Sequence, residues 1–257
     1  MTQSIPKIIH YCWFGRGNKP DIVKRCIDSW KCELVGYRII EWNEDNFDIN
    51  TNIFVREAYY RKKYAFVSDY VRVYALYKYG GIYMDTDVEV YKPFSEYILT
   101  NDSFWGFEEG NYIATSIIGC KKGNAVIAKF LDSYKSKSFI NKEGKNDITT
   151  NVIIVNKIIK EMGIILNGKY QRIEGIMTIY PQEYFSPYDY INCYSKANNN
   201  TYTIHHFHKS WIPINTKLKI YIKRGLCKVI GGEKVAKIRK ILIGKRENDE
   251  KSIDSFF

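Results

Sequence analysis

The stretch that decides the fold is AFVSDYVRVYALYKYGGIYMDTDVEV, residues 65–90. Its first half predicts a helix in which apolar and aromatic residues cover most of the circumference rather than one stripe, so we expect that helix to be largely buried. Gly80 and Gly81 are expected to end it, because glycine readily adopts the backbone conformations that follow a helix. Residues 82–84 then read as a short interior strand.

Two aspartates, Asp85 and Asp87, follow this strand. Residues two apart on an extended chain point to the same side, so both carboxylates can address one point in space. Mg²⁺ and Mn²⁺ take oxygen ligands, commonly one or two carboxylates, and leave other positions to waters and substrate phosphates. Such an ion offsets the charge that builds on a departing phosphate. The triplet alone is a weak signal, since solvated turns also contain it.

Asp69 and Arg72 are three residues apart and therefore share one face of the predicted helix. Buried charges are costly unless they are paired. Two interpretations stay open for this pair: a structural ion pair, or a polar pair that also binds a ligand.

The string from Asp69 to Asp87, D-x-x-R-x-x-x-L-x-x-x-G-G-I-Y-x-D-x-D, resembles the signature of family 32 glycosyltransferases. These are bacterial capsule and lipo-oligosaccharide sugar transferases, related to the yeast initiating mannosyltransferase and to the clostridial glucosylating toxins. The resemblance implies an α/β protein of GT-A type: a single Rossmann-like nucleotide-sugar-binding domain with a mainly parallel central sheet. It also implies that Asp69 and Arg72 hold donor-sugar hydroxyls, that Tyr83 lies by the nucleotide, and that Asp85 and Asp87 engage ribose, sugar and metal.

The N-terminal segment predicts the first strand at residues 7–15, a helix that opens at Pro20, and a second strand at residues 37–42. This order begins a nucleotide-binding α/β half, whose ligands bind beyond the carboxyl ends of the strands. Trp13 at the first strand end is either core or a platform for a base. The string I-P-K-I-I-H-x-x-W-x-G, residues 5–15, matches the same family again, and by that resemblance Trp13 contacts the base.

Three of the four histidines, His205, His206 and His208, lie close together late in the chain. Zinc is an alternative, but no cysteine or second histidine pair stands at zinc-ligand spacing. The family carries a His-His-x-x-x-Ser-Trp element here. By resemblance, His206 is the third metal ligand, beside the two aspartates.

The same resemblance assigns two neighbouring residues to the donor. Trp211 would close over the donor phosphate. Lys209 stands where the family usually has glycine, and its cation could touch the diphosphate directly.

Composition places the chain among folded proteins. It has 257 residues, of which 45% are hydrophobic and 16% aromatic. Nothing approaches eighteen uninterrupted apolar residues, so no membrane-spanning helix is expected, and the N-terminus does not read as a secretory signal. The six cysteines show no CxxC spacing, which favours free thiols in a reducing compartment.

The net charge of +11 is concentrated near the C-terminus. Residues 212–246 hold eleven Lys and Arg and one Glu, a net charge of +10. Apolar residues are interleaved with the basic ones, and Gly231-Gly232 divides the stretch into two predicted amphipathic helices. Such helices either lie on an anionic bilayer or pack as a solvated helix pair. We therefore expect a glycosyltransferase domain at 1–212 and a basic helical appendage at 213–257.

The resemblance implies a metal-dependent, retaining hexosyltransferase with Mn²⁺ or Mg²⁺ as cofactor. The donor would be a nucleoside-diphosphate sugar, with a UDP-hexose favoured, and the acceptor a saccharide or lipid-linked oligosaccharide. The expected setting is capsular, exopolysaccharide or lipo-oligosaccharide biosynthesis in the bacterial cytoplasm, peripheral at the inner face of the membrane. If the enzyme inverts instead, Glu108, Glu109 or Asp147 could supply a base.

Two other classes of protein stay open. A nucleic-acid-binding protein is disfavoured because the basic tail lacks interleaved aromatic residues apart from Tyr221. A non-catalytic scaffold is disfavoured because it would have no reason to keep a buried charged cluster.

Overall fold

The computed structural model describes residues 4–190 and 193–208, together with 225, 227, 229–232, 234, 235 and 237. Lys209, Trp211 and most of the predicted tail at 213–257 lie outside the described residues, so what we expect of them stays a prediction. The chain divides into two compact units, residues 1–187 with 197–211, and residues 188–196 with 212–257.

In the second unit, β10 (Tyr188–Asp189) and β11 (Tyr194–Ser195) form a short antiparallel pair. The other helices and strands whose full bounds fall within the described residues belong to the first unit. Its helices are α1 (Asp21–Glu33), α2 (Ile53–Tyr60), α3 (Tyr64–Tyr79), α4 (Glu96–Leu99), α5 (Ala125–Asp132), α6 (Asn151–Glu161) and α7 (Gln182–Phe185). Its strands are β1 (Ile8–Cys12), β2 (Arg38–Trp42), β3 (Gly81–Met84), β4 (Val88–Val90), β5 (Ser103–Glu108), β6 (Tyr112–Ile113), β7 (Ile117–Cys120), β8 (Gln171–Ile173), β9 (Met177–Tyr180) and β12 (Thr203–His205).

The central sheet has the strand order β2-β1-β3-β7-β5-β9-β8, with β6 attached to β5. Strands β1, β2 and β3 are parallel, and β5 and β9 are parallel to each other. Strand β7 lies between β3 and β5 and is antiparallel to both, so β5 and β9 run in the same direction as β1 to β3. The mixed α/β fold with a mainly parallel sheet is therefore confirmed, and the reversed strands β6, β7 and β8 are details that the sequence pattern did not predict.

Hydrophobic residues cover both faces of this sheet. On β3 and β5, Tyr83 and Trp105 enter a cluster with α3, whereas Met84 and Phe104 enter a second cluster with residues of α1. This alternation follows from the two-residue period of a strand, and burial on both faces is expected when helices cover both sides of a sheet. The strands are therefore rigid supports for whatever follows their carboxyl ends.

Helix α3 is buried around most of its circumference, as predicted, and ends where the two glycines begin. Gly80 and Gly81 both have positive φ, of 65° and 100°. A Cβ on Gly81 would lie 2.6 Å from the carbonyl oxygen of Ile8, and one on Gly80 would lie 2.6 Å from the backbone nitrogen of Lys122. Two glycines are needed here because both the backbone conformation and the close approach of neighbouring chain exclude a side chain.

The short strands β4 and β12 pair with each other, antiparallel, outside the main sheet. This pairing carries the late histidines back to the end of β3, more than a hundred residues earlier in the chain. Among the described residues, none of the helices combines the length and the hydropathy that crossing a bilayer requires. Cys12, Cys26, Cys32, Cys120 and Cys193 are free thiols.

Candidate active site

The aspartates that follow β3 occupy a turn rather than an extended strand end. The backbone nitrogen of Val88 donates to the carbonyl oxygen of Asp85 at 3.0 Å, which closes the turn around Asp87. The carboxylates nevertheless converge, because one ligand atom from each of Asp85, Asp87 and His205 lies within 4.8 Å of the others. The convergence was predicted correctly, but its geometric reason was not the alternation of side chains on a strand.

Arg72 is the centre of the buried charge. Its guanidinium lies 2.9 Å from Asp69 Oδ1 and 3.2 Å from Asp85 Oδ1, and it donates to the carbonyl oxygen of Thr115 at 2.7 Å. The group also lies over the ring of Tyr83, 4.6 Å from its centroid. The Arg72 side chain is only 6% exposed. Three elements, α3, β3 and the segment before β7, are thus connected through one side chain.

Tyr83 holds the carboxylate of Asp85 in place. It is buried, and its hydroxyl donates to Asp85 Oδ1 at 3.0 Å. Because Tyr83 and Asp85 are two residues apart, they lie on the same side of the chain as it leaves β3. The sequence predicted that Tyr83 lies by the nucleotide; the structure places its hydroxyl on the first aspartate, where it fixes the carboxylate.

Asp69 lies against a polar network from α6. The amide nitrogen of Asn151 donates to the carbonyl oxygen of Asp69 at 2.9 Å, and the hydroxyl of Tyr134 donates to the amide oxygen of Asn151. Burial raises the pKa of Asp69 to about 7, and the neighbouring charge of Arg72 only partly offsets this effect. Asp69 is therefore a carboxyl that can exist in either protonation state near neutrality.

Asp87 is surrounded by the segment that follows β12. His205 Nε2 lies 3.3 Å from Asp87 Oδ1, and the backbone nitrogen of His208 donates to Asp87 Oδ2 at 2.7 Å. Burial alone would raise the pKa of Asp87, but the charge of His205 and these hydrogen bonds outweigh burial and lower it. For His205 the balance is reversed: burial would lower its pKa, and the charge of Asp87 raises it. The two groups stabilise each other in their charged forms.

The structure differs from the sequence prediction at the third ligand position. His205, and not His206, approaches the two aspartates. His206 Nε2 lies 2.7 Å from Glu89 Oε2 instead. Consecutive side chains of extended chain point to opposite sides, so only one member of a His-His pair can face the aspartates. The motif located the pair, but the choice within it depends on the register of β12 against β4.

The donor set fits a divalent cation. Two carboxylates and one imidazole are ligand types for Mn²⁺ and related ions, and separations within 4.8 Å are close to those of ligands around one octahedral ion. The atom His205 Nδ1 is buried without a hydrogen-bond partner among the described residues, so Nε2 is the nitrogen that faces Asp87. We therefore name Asp85, Asp87 and His205 as the residues that would hold the ion.

Trp13 lies at the carboxyl end of β1, beside a pocket of about 260 Å³. The pocket is lined by Trp13, Lys19 and Glu41, among others. Strand β1 lies between β2 and β3, so this pocket and the aspartates share one edge of the sheet. That edge is where nucleotides bind in open α/β sheets.

Two residues that the sequence analysis did not single out contact the Asp69–Arg72 pair. Asn151, a buried residue at the start of α6, donates to the backbone of Asp69, and Thr115 accepts from Arg72 through its backbone alone. Only tertiary contact reveals such roles. Asp147, considered as a base, forms an ion pair with Lys137 at 2.6 Å, and its pKa is lowered: burial would raise it, but hydrogen bonds from Lys137 and Thr149 outweigh burial.

The site combines an α/β sheet with a cluster of carboxylates and one imidazole at the ends of parallel strands, an arrangement suited to a cation and a nucleotide. Comparison with known families agrees. Residues 20–105 match the family described as "Glycosyltransferase sugar-binding region containing DXD motif". The matched segment contains Asp69, Arg72, Asp85 and Asp87. The resemblance inferred from the sequence is thereby confirmed for this segment, which is similar to glycosyltransferases of the DXD type.

Individual relatives are distant. The "Subversion of eukaryotic traffic protein A" of Legionella pneumophila (strain Philadelphia 1) is 26% identical, and the aligned stretch covers 50% of this chain and 25% of that protein. Among solved structures, the "PaToxG Glycosyltransferase" has a TM-score of 0.46 at 19% identity, covering 62% of this chain and 70% of that one. A glycosyltransferase involved in the glycosylation of the major capsid of PBCV-1 has a TM-score of 0.43 at 12% identity, covering 78% and 93%.

Proposed function

We propose that this protein transfers a hexosyl group from a nucleoside-diphosphate sugar to a saccharide acceptor, with a divalent cation at Asp85, Asp87 and His205. The observation that carries the proposal is the convergence of Asp85, Asp87 and His205, whose ligand atoms lie within 4.8 Å of one another beside the Asp69–Arg72 pair. In the cation-free protein the positive charges of Arg72 and His205 offset those of the carboxylates. A bound dication would take the place of the His205 proton and add the positive charge that a donor diphosphate needs.

Mn²⁺ is the cation that the ligand set favours. Mg²⁺ binds mainly through oxygen and keeps several waters, whereas an imidazole ligand suits a softer ion. When bound, the cation would neutralise charge on the departing nucleoside diphosphate. Asp87 would contribute its carboxylate, and His205 would bind as neutral imidazole after losing the proton that it shares with Asp87 in the cation-free protein.

The donor sugar is proposed to bind against Asp69 and Arg72, as the family resemblance implies. If Asp69 accepts hydrogen bonds from sugar hydroxyls, Asp69→Asn should still bind free nucleoside diphosphate while transfer collapses. Equal loss of binding and transfer would instead support a purely structural ion pair with Arg72.

The base is proposed to stack on Trp13, with uracil favoured by resemblance, while Lys209 and Trp211 would contact the diphosphate. The proposed mechanism retains anomeric configuration, as the family resemblance implies. Asp147 would be a weak base, because it forms an ion pair with Lys137 and its pKa is lowered. If the enzyme inverts, Glu108 or Glu109 is the remaining candidate base.

The acceptor is proposed to be a saccharide, lipid-linked, in bacterial capsule, exopolysaccharide or lipo-oligosaccharide synthesis. The basic segment 213–257 would then hold the enzyme at the inner face of the cytoplasmic membrane, with 1–212 as the transferase domain. Sedimentation with phosphatidylglycerol vesicles tests this part of the proposal. The full chain should bind at low salt and be released at high salt, and a chain ending at Pro213 should not bind.

The central experiment is a panel of UDP- and GDP-sugars, assayed for hydrolysis and transfer with Mn²⁺, with Mg²⁺ and with chelator. One donor should be turned over only when a cation is present. Asp87→Asn keeps an oxygen for the His208 backbone nitrogen but loses the charge, so it should remain folded and inactive. Turnover by this variant at saturating Mn²⁺ would refute the assignment of Asp87 as a ligand, and turnover in chelator would refute the metal site.

A further inference from the structure

Trp13 is the residue on which the donor base is proposed to stack. Trp13 is packed on one side against the hydrophobic cluster that includes residues of α1, and its other side lines the pocket. The indole nitrogen donates to the carbonyl oxygen of Gly17 at 2.7 Å, so the orientation of the ring is fixed. The ring therefore offers one face to a ligand, and that face opens into the pocket.

This face is covered by Lys19. The Lys19 ammonium lies 5.6 Å from the centroid of the Trp13 ring, within the range of a cation–π interaction. It also lies 2.8 Å from Glu41 Oε2, and both side chains are only about a quarter exposed, at 26% and 27%. Glu41 is at the carboxyl end of β2, so the ammonium bridges the ends of two adjacent strands.

A stacked base needs the space that this ammonium fills. Offset-stacked aromatic rings have centroids about 4.5–7 Å apart, and the Lys19 ammonium is at 5.6 Å from the Trp13 centroid. A planar base and the ammonium cannot both contact the same ring face. The pocket volume of about 260 Å³ leads to the same conclusion, since it is slightly below the range of about 300–1,000 Å³ that ligand sites normally have.

We propose that Lys19 is an internal competitor of the donor base: it covers the Trp13 ring in the donor-free protein and must leave the ring when the base binds. The inference rests on the proposed function, which puts the base on Trp13. Its consequence is a specificity rule. Only a ligand with a planar aromatic base can displace the ammonium, so Lys19 weakens the binding of every nucleoside and excludes sugar phosphates that lack a base.

The alternative role for Lys19, attraction of the diphosphate, fits the geometry less well. Strand β1 lies between β2, which carries Glu41, and β3, which leads to the metal ligands. Two strand spacings correspond to about 10 Å, so a diphosphate on the cation at Asp85 and Asp87 would be remote from Lys19. The carboxylate of Glu41 already pairs with the ammonium.

The test uses the full chain and nucleosides that carry no phosphate. Binding of uridine and of guanosine is measured by calorimetry for the wild type and for Lys19→Met, and UDP and GDP are measured with Mn²⁺. Lys19→Gln is a second variant, to be used if Lys19→Met is unstable. Its amide removes the charge but can still donate a hydrogen bond to Glu41. Arg16→Met is the matched control: Arg16 lines the same pocket but pairs with Asp45 at 2.5 Å and has no ring contact among the described residues.

Lys19→Met should bind the preferred nucleoside about threefold to tenfold more tightly, which is the range expected for removing one cation–π contact and one partly exposed ion pair. Arg16→Met should show no such gain. Unchanged or weaker nucleoside binding by Lys19→Met, with nucleotide binding otherwise intact, overturns the inference alone. UDP binding that Trp13→Ala leaves unaffected also overturns it. If the wild type binds no nucleoside and no nucleoside diphosphate, the proposed function fails and this inference fails with it.

Discussion

Replacement of Arg72 by methionine should destabilise the protein strongly and in a pH-dependent way. Methionine keeps the aliphatic part of the side chain, but it removes the guanidinium that pairs with Asp69 and Asp85, donates to Thr115 and lies over the Tyr83 ring. Removing one member of a buried ion pair costs about 3–5 kcal/mol, because the remaining charge is left without compensation. We expect a loss of that size in the free energy of unfolding at pH 8.

The loss should be smaller at pH 5.5. Burial already raises the pKa of Asp69 to about 7 while Arg72 is present, and without the guanidinium this pKa rises further. The folded variant therefore binds more protons than the folded wild type in this range, and its stability falls more steeply as pH increases. At pH 5.5 the carboxyls of Asp69 and Asp85, which have lost Arg72 as their partner, take up protons more readily, and this uptake reduces the repulsion between them.

Urea unfolding at both pH values, followed by tryptophan fluorescence, measures these differences. Arg61→Met is a suitable control, since Arg61 makes one long hydrogen bond, to Gly144 at 3.5 Å, and should lose less than about 0.5 kcal/mol. The double variant Asp69→Asn/Arg72→Met should be more stable at pH 8 than Arg72→Met. A cost below about 1 kcal/mol for Arg72→Met, or equal costs at the two pH values, would refute a buried charge cluster.

Three further outcomes follow from the structure. His205→Asn should weaken Mn²⁺ binding by a factor of ten or more, on the order of the loss expected for one ligand. In the same calorimetric measurement His206→Asn should change Mn²⁺ binding little. The reverse result would support His206, the ligand predicted from the sequence. Burial lowers the pKa of His10 from 6.5 to about 4, so protonation of this residue should contribute a loss of about 3 kcal/mol as pH falls from 6.5 to 4. In urea titrations the pH profile of His10→Gln should lack this contribution, and an identical pH profile for the variant and the wild type would contradict it. Gly81→Ala should cost at least about 1–2 kcal/mol in unfolding free energy, because of its positive φ and the close carbonyl oxygen of Ile8, and a neutral effect would mean that the backbone can relax there.

Much of the fold could be predicted because the decisive elements are local. The apolar circumference of α3, the two glycines and the aspartates after β3 are continuous in sequence, and local pattern determines each of them. The direction of β7 and the pairing of β4 with β12 depend instead on contacts between distant segments. No periodicity within those short strands distinguishes one partner from another.

In the candidate site, too, local features could be predicted from the sequence and features that depend on distant contacts could not. Charged residues could be identified because their types are rare in a buried segment, and Asp69, Arg72, Asp85 and Asp87 do lie together. His206 was preferred to His205 because spacing to Trp211 was the available criterion, whereas the actual choice follows from a one-residue register in β12. A one-residue difference reverses the side to which a side chain points, so sequence spacing cannot decide between adjacent residues.

The two halves of the site differ in how their carboxyls are protonated, and this difference suits them to different ligands. On the α3 side, Arg72 neutralises buried carboxylates, and Asp69 keeps a pKa near 7. On the β12 side, His205 keeps Asp87 ionised below its ordinary range. A carboxylate that stays charged under all ordinary conditions is suited to bind a cation, and one that is poised near neutrality is suited to exchange hydrogen bonds with neutral hydroxyls. Asp85 contacts Arg72 and lies beside His205, so it connects the half that is proposed to face the sugar with the half that is proposed to hold the cation.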